Sequence, residues 1–322
     1  VGAATLPTSR RWATLLAIAL LVATQAAAAA YAAGPAPAST AEPPEKAPSL
    51  TDVNKQLTNP VSELWSITFQ QNNFRLTYHF PGEDGTRWSS NLLFQPVLPI
   101  AISPKWNLVS RPVIPLFASQ PHPQETDPSN IHQATAFGDI TFMQLVSPSA
   151  RLVGGWLLGA GPTWMFPTAG SRYTGSGKYQ VGPAAIVGYL SDKWIAGALF
   201  QDWWSFAGRD DRASTRSMNL QPFASYFLRD GWSVGYSGNI LADWEAKKSD
   251  DVWTVPIGVA VAKVVKLGKL PVRLALAVQY IPIHPQEFGQ TWNLQLTVAP
   301  VLPKLVKGNL SDPKSLRFGL GR

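Results

Sequence analysis

The stretch Trp232-Ser233-Val234-Gly235-Tyr236-Ser237-Gly238-Asn239-Ile240-Leu241-Ala242-Asp243 decides the fold class. Trp232, Val234, Tyr236, Ile240 and Ala242 share one face of an extended chain. Ser233, Gly235, Ser237, Asn239 and Asp243 share the other, with Leu241 as the exception. Successive side chains of a strand point to opposite faces, so this period predicts a strand with one apolar and one wet side. The same alternation returns twice. Val272, Leu274, Leu276, Val278 and Tyr280 interleave with Arg273, Ala275, Ala277 and Gln279. Trp292, Leu294, Leu296 and Val298 interleave with Asn293, Gln295 and Thr297.

Extending this pattern over the chain gives segments at 64–80, 87–99, 105–117, 136–147, 151–166, 178–190, 193–206, 215–228, 231–243, 252–264, 271–284 and 290–302. An even set of about twelve such segments predicts an all-β fold, a transmembrane antiparallel up-and-down β-barrel. The connections alternate in length. Ser103-Pro104, Pro148-Ser149, Ser191-Asp192, Arg229-Asp230 and Leu267-Gly268 mark tight turns, while 118–135, expected to be the longest link, and 167–177 are long. Short periplasmic turns opposite longer external loops are the outer-membrane pattern. The localisation expected is therefore the cell outer membrane.

Composition supports this reading. Of 322 residues only 15% are charged, below the about 25% usual in soluble domains, yet nothing after the N-terminus has the roughly 20 apolar residues of a spanning helix. Among 13 Trp, those at 88, 164, 203, 204, 244, 253 and 292 fall near the expected external strand ends. Trp65, Trp106, Trp156, Trp194 and Trp232 fall near the periplasmic ends. Indole rings prefer the membrane interface, so two girdles are expected. A soluble β-sandwich would bury the apolar faces against a second sheet, but Gln and Asn on the other face suit a lumen better. Pro96, Pro99, Pro112, Pro115, Pro183, Pro222, Pro256 and Pro300 resist the scheme, because each removes a ladder donor; bulges are the expected accommodation.

The ends of the chain read differently. Arg10-Arg11, an apolar run from Trp12 and Ala30-Tyr31-Ala32 describe a signal peptide over 1–33. Residues 34–60, rich in Pro, Ala, Ser and Thr, are expected to be a flexible periplasmic segment; with few large apolar residues they make a poor plug. The barrel is expected over 61–303. A polar C-terminal tail follows at 304–322, with Phe318 outside any convincing strand, unlike barrels whose last strand ends in an aromatic residue for the barrel-assembly machinery.

Alternation nominates the lumen: Arg75, Lys105, Asn107, Arg111, Asp139, Gln221, Asn239, Asp243, Arg273, Gln279, Asn293 and Gln295. Arg111 lies mid-strand, either setting ion preference or bridging to Asp139 on the next strand. The net charge of +7 comes from scattered residues, so no nucleic-acid partner is expected, and without Cys there are no disulfides. None of His79, His122, His132 and His284 has a Ser within two positions, so no catalytic pair is nominated. Asp202, Asp210, Asp211, Asp250 and Asp251 read as solvated loop charge, not a metal site, and Gly155, Gly159 and Gly161 lack the spacing of a phosphate loop. No catalytic, cofactor or metal site is expected.

Several motifs carry a resemblance: Gln95-Pro96-Val97-Leu98-Pro99, Arg111-Pro112-Val113-Ile114-Pro115, Phe137-Gly138-Asp139-Ile140, Trp203-Trp204-Ser205-Phe206-Ala207-Gly208, Gln221-Pro222-Phe223, Trp253-Thr254-Val255-Pro256-Ile257-Gly258 and Leu267-Gly268-Lys269-Leu270-Pro271-Val272. Over roughly 59–304 the chain resembles outer-membrane proteins grouped with the MetA pathway of phenol degradation. That resemblance implies a transport barrel for small, aromatic or apolar solutes, and no catalytic residues. The expected partners are outer-membrane lipid, a small-molecule solute and the assembly machinery. The competing functions are a barrel enzyme acting on membrane lipid and a non-conducting structural or assembly barrel.

Overall fold

The computed structural model describes residues 48–80, 83–124, 130–304 and 306–318. The expected signal peptide and most of the expected flexible segment lie outside the described residues. Twelve antiparallel passes close on themselves. They are β1 (Trp65–Phe80), β2 (Glu83–Ser103), β3 (Trp106–Pro123), β4 (Ile131–Phe137) with β5 (Ile140–Pro148), β6 (Trp156–Phe166), β7 (Lys178–Leu190), β8 (Trp194–Gly208), β9 (Arg216–Phe227), β10 (Trp232–Ser237) with β11 (Ile240–Asp243), β12 (Trp253–Leu267), β13 (Leu270–Ile283) and β14 (Phe288–Leu302). β4 with β5, and β10 with β11, are single passes interrupted at 138–139 and 238–239. β1 pairs with both β2 and β14, which removes the sheet edge. In hydrocarbon that closure is obligatory, because an unpaired backbone edge has no water to bond.

The cross-strand register fixes which side chains face the lipid. Tyr280 opposes Trp292, Val278 opposes Leu294 and Leu276 opposes Leu296, all exposed on the outer face. Trp88, Trp106, Trp156, Trp194, Trp204, Trp232, Trp244, Trp253 and Trp292 are exposed too. The remaining tryptophans expected in the girdles include two that are buried. Trp203 opposes Ser217 on the lumen side and donates from Nε1 to Thr163 Oγ1 at 3.2 Å. In the pair Trp203-Trp204 alternation can turn only one ring outward. Trp65 is buried at the rim, its indole donating to the Pro99 carbonyl at 2.8 Å.

The lumen wall is chemically divided. Leu145, Leu157, Ile186, Ile195, Leu199 and Phe223 point inward from β5–β9 and form an apolar core with Val109, Met143, Ala184 and Phe227. Burying each large side chain stabilises the barrel by roughly 1.5–3 kcal/mol. The facing wall, β13, β14, β1 and β2, carries buried Gln279, Asn293, Asn72 and Gln95.

The rim with the short turns also holds the start of β1 and the end of β14; by the outer-membrane rule it is periplasmic. At the turn between β9 and β10, Asp230 (φ 56°) and Gly231 (φ 77°) both adopt positive φ, the requirement of a tight primed hairpin turn. The outer rim departs from expectation. β3 continues to Pro123 and β4 starts at Ile131, so strand takes up much of 118–135 and the link is only 124–130. The longest described link is instead 167–177.

Two end segments also depart from expectation. Residues 50–58, expected to be flexible, form α1 (Leu50–Thr58). Ser49 starts it: its hydroxyl accepts from Asp52 N at 3.1 Å, and the Asp52 carboxylate accepts from Ser49 N at 3.3 Å. This reciprocal cap satisfies donors that the first turn leaves open. The expected C-terminal tail forms a hairpin, β15 (Val306–Asn309) and β16 (Asp312–Phe318). Its turn donates from Leu310 N and Ser311 N to the carbonyls of Ala101 and Ile102, at 2.9 and 2.8 Å. The β1–β2 ladder stops at Ser66–Val97, so the last residues of β2 would otherwise be an open edge. Trp65 and the hairpin cover it.

The prolines fall where ladders are interrupted. Pro162 opposes Pro183, and the β12–β13 register shifts across Pro256. β10 pairs with β12 up to Gly235–Ala260, and β11 resumes at Leu241–Thr254. Side chains take over at this seam: Tyr236 donates its hydroxyl to the Pro256 carbonyl, and Gln279 Nε2 donates to the Ser237 carbonyl at 2.8 Å.

Candidate functional site in the lumen

The amide wall is one connected network. Arg111 Nη2 donates to Gln95 Oε1 at 2.6 Å, Gln95 Nε2 to Gln70 Oε1 at 3.3 Å, and Gln70 Nε2 to Asn72 Oδ1 at 3.1 Å. Asn72 donates to Asn91 at 2.9 Å. From the other side Asn293 Nδ2 reaches Asn72 Oδ1 at 3.4 Å and Gln279 Oε1 at 2.9 Å. Gln279 continues to the Ser237 carbonyl, and Gln221 Nε2 donates to Ser237 Oγ at 3.1 Å. The network thus runs from β3 round to β9. Gln279 crosses β12 to reach Ser237. A Cβ at Gly258 would clash with the Val278 carbonyl oxygen and stand 3.0 Å from Gln279 Cγ, so the close approach of β12 and β13 here requires glycine.

α1 is latched to the wall at the periplasmic end. Thr51 Oγ1 donates to the Leu228 carbonyl at 3.1 Å and accepts from Gly231 N at 3.2 Å. Asn54, fully buried, donates to the Gly231 carbonyl and to Ser233 Oγ, each at 3.0 Å, while its Oδ1 accepts from Arg273 Nε at 3.1 Å. Such a buried polar latch is stable only when its central group is bonded, and both atoms of the Asn54 amide are. The plug therefore needs no large apolar residues; Asn54 is matched to polar groups the wall already presents. Above it lies a cavity of about 160 Å³ bounded by Gln56 and Leu57 of α1 and by Arg111, Gln221, Phe223, Arg273 and Gln295 of the wall.

The nominated lumen residues distribute unevenly. Arg111, Gln221, Arg273 and Gln295 meet at this cavity; Gln279 and Asn293 belong to the amide network. Asn107 is buried lower in β3 and donates to Glu63 Oε1 at 3.3 Å. Asn239 lies in the break between β10 and β11, and Asp243, exposed at the outer rim, accepts from Glu245 N at 3.0 Å. Two others, Arg75 and Lys105, are not lumen residues, and Asp139 is taken up by a loop. Arg75 opposes Trp88 and Trp292, on the outer face. Lys105 is exposed in the turn between β2 and β3. Asp139, at the β4–β5 break, anchors the 167–177 loop by accepting from Ala169 N at 3.1 Å and Ser176 N at 2.6 Å. Arg111 accordingly pairs with Gln95, not Asp139.

Sequence reasoning missed Gln70, Asn72, Asn91 and Gln95. In Gln70-Gln71-Asn72-Asn73 both faces are amide, so the period has no readable phase. Gln71 and Asn73 point outward, where Gln71 Nε2 donates to Ser90 Oγ at 3.0 Å and Asn73 Nδ2 to the Leu294 carbonyl at 3.1 Å. The signal available was the register against Leu294 and Leu296, which needs the partner strand.

The histidines sit at the outer rim. His122 stacks on Tyr173 with ring centroids 3.4 Å apart, tying β3 to the 167–177 loop, and His79 Nδ1 lies 3.0 Å from Asp84. His284 Nδ1 faces the Pro285 carbonyl at 3.0 Å. Among the described residues no group of His, Cys, Asp and Glu is arranged to hold a metal ion.

No family model matches the sequence. No curated protein matches it either. Solved structures do. The COG4313 outer membrane channel from Pseudomonas putida F1 is similar at 17% identity and TM-score 0.56, over 76% of this chain and 98% of that one. The NanC porin aligns at 7% identity and TM-score 0.44, over 73% and 99%. The Pseudomonas putida toluene transporter TodX aligns at 10% identity and TM-score 0.37, over 76% and 91%. The first of these likenesses supports the twelve-pass barrel fold, and the apolar outer face with its indole girdles makes the chain an outer-membrane barrel.

Proposed function

We propose that this barrel conducts small solutes with an aromatic or apolar body across the outer membrane, and that it belongs with the MetA-pathway-related barrels its motifs resemble. The carrying observation is the divided lumen: an apolar wall and an amide wall meet above a bonded helical plug. Where the two meet, the cavity sets Phe223, Val97 and Leu57 beside Gln70, Gln221 and Gln295, a lining that suits a ring carrying a polar group better than a hydrated ion. The seam between β10, β11 and β12, held by side chains in place of ladder bonds, supplies a second way out of the lumen, sideways into the bilayer.

The test is uptake into proteoliposomes. The wild-type barrel should carry benzamide faster than a sugar of similar mass, with low ionic conductance. Asn54→Ala, which removes the latch to Gly231, Ser233 and Arg273, should raise ionic conductance several-fold. Equal rates for benzamide and sugar, or unchanged conductance in a folded Asn54→Ala barrel, would overturn the reading.

A further inference from the structure

The lumen cavity carries two guanidinium groups, from Arg111 and Arg273, and none of the residues lining it is acidic. The two arginines come from β3 and β13, with β2, β1 and β14 between them along the wall. Neither forms an ion pair among the described residues. Arg111 uses Nη2 on Gln95, and its Nε is buried with no partner. Arg273 spends only Nε, on Asn54. A half-buried cation left without a counter-charge still carries part of the desolvation cost of a buried one. The rest of the arginine face is amide and hydroxyl from Gln70, Gln221 and Ser237, neutral groups that cannot supply that charge. Phe223, Leu57 and Val97 complete the lining with apolar surface. At about 160 Å³ the space matches an aromatic ring, since a cavity of roughly 150 Å³ accepts benzene.

We infer that this cavity is a carboxylate-recognition site, and that the preferred cargo is a small aromatic monocarboxylate held by Arg111 and Arg273 with its ring against Phe223. The planar fork of arginine matches a carboxylate through two parallel N–H···O bonds, which a neutral amide cannot reproduce. Because Arg273 Nε also holds Asn54 of α1, a carboxylate on the Nη groups of the same guanidinium sits beside the latch, so cargo and latch are coupled. This inference rests on the transport reading for its physiological meaning but not for its chemistry.

Calorimetric titration of the purified barrel, N-terminal segment intact, separates the two. Benzoate should bind at least tenfold more tightly than benzamide, its neutral isostere. Arg111→Gln should cost benzoate at least tenfold and leave benzamide within twofold; Arg111→Lys should fall between. Arg273→Gln should act in the same direction, and retained heat-modifiable migration shows that each variant still folds. Equal benzoate and benzamide affinities in the wild type, which need no variant, would overturn the inference. So would an unchanged benzoate-to-benzamide ratio in both folded variants, or inorganic phosphate displacing benzoate at equal concentration, which would make the site a general anion trap. Benzamide uptake with no benzoate preference leaves transport standing and removes this site. Benzoate preference without uptake of either does the reverse.

Discussion

Two halves of one wall solve the same problem by opposite chemistry. From β5 to β9 the lumen side is apolar and packed: Leu145, Ile195 and Leu199 are almost fully buried although they face the inside of a membrane barrel. From β13 through β14 and β1 to β2 the lumen side is amide, and Gln279, Asn293 and Asn72 are buried because they bond one another. The apolar half gains by burial and tolerates imprecise geometry. The amide half gains little net energy per bond and is intolerant of a missing partner. Rigidity on one side and specificity on the other follow from that asymmetry; both lumen arginines engage the specific side, and α1, bonded to the β9–β10 turn and β10, reaches it through Arg273.

The largest expected effect probes the apolar half. Leu145→Ala should cost about 2–5 kcal/mol in urea unfolding from lipid vesicles, the range for truncating a buried leucine. Leu294→Ala, on the lipid face, should cost far less, because lipid fills the gap. Similar small losses for both would mean that β5–β9 line open space and that the halves do not differ as described. Next, Asn293→Leu should cost about 1–3 kcal/mol, since Gln279 Oε1 loses its donor in an enclosed site. A neutral outcome would show that the amide wall is wet, with water replacing each lost bond.

The smallest effect is a pH dependence at the plug. The hydrogen bond from the Ser49 side chain holds the Asp52 carboxyl below its ordinary value. A carboxyl depressed in the folded state contributes stability that is present above its unfolded value, about 3.9, and is lost as pH falls through the folded value. Acid below about pH 4 should therefore raise conductance by loosening the start of α1, and Asp52→Asn should abolish that step. An identical acid response in Asp52→Asn would move the titrating group elsewhere.

The same division explains which strands could be read. β10, β13 and β14 were legible because their lumen side is polar and their lipid side apolar. β6 and β8 offered no such contrast: in Leu157-Leu158 and Ile195-Ala196-Gly197-Ala198-Leu199 both faces are apolar, and length and turns located them instead. β1 failed in the opposite sense. Arg75 was assigned inward because four consecutive amides erase the phase, and only pairing with Trp88 and Trp292 turns it outward. The expected Arg111–Asp139 bridge failed for a different reason, since at the 138–139 break Asp139 is taken up by the loop that Ser176 brings to it.

The sequence by itself determined the barrel class, twelve passes, the side of the short turns and most of the indole girdles. All of these are local: alternation, turn residues and interfacial aromatics depend on a chain segment and its solvent. Only the tertiary structure decided that a polar nine-residue segment becomes a bonded plug, that the C-terminal hairpin covers the open end of β2, and that Arg111 and Arg273 share a cavity. Each of those rests on partners far away in sequence, such as Asn54 with Ser233 and Arg273. A hydrogen bond between strands that closure alone makes neighbours leaves no period in the chain to read.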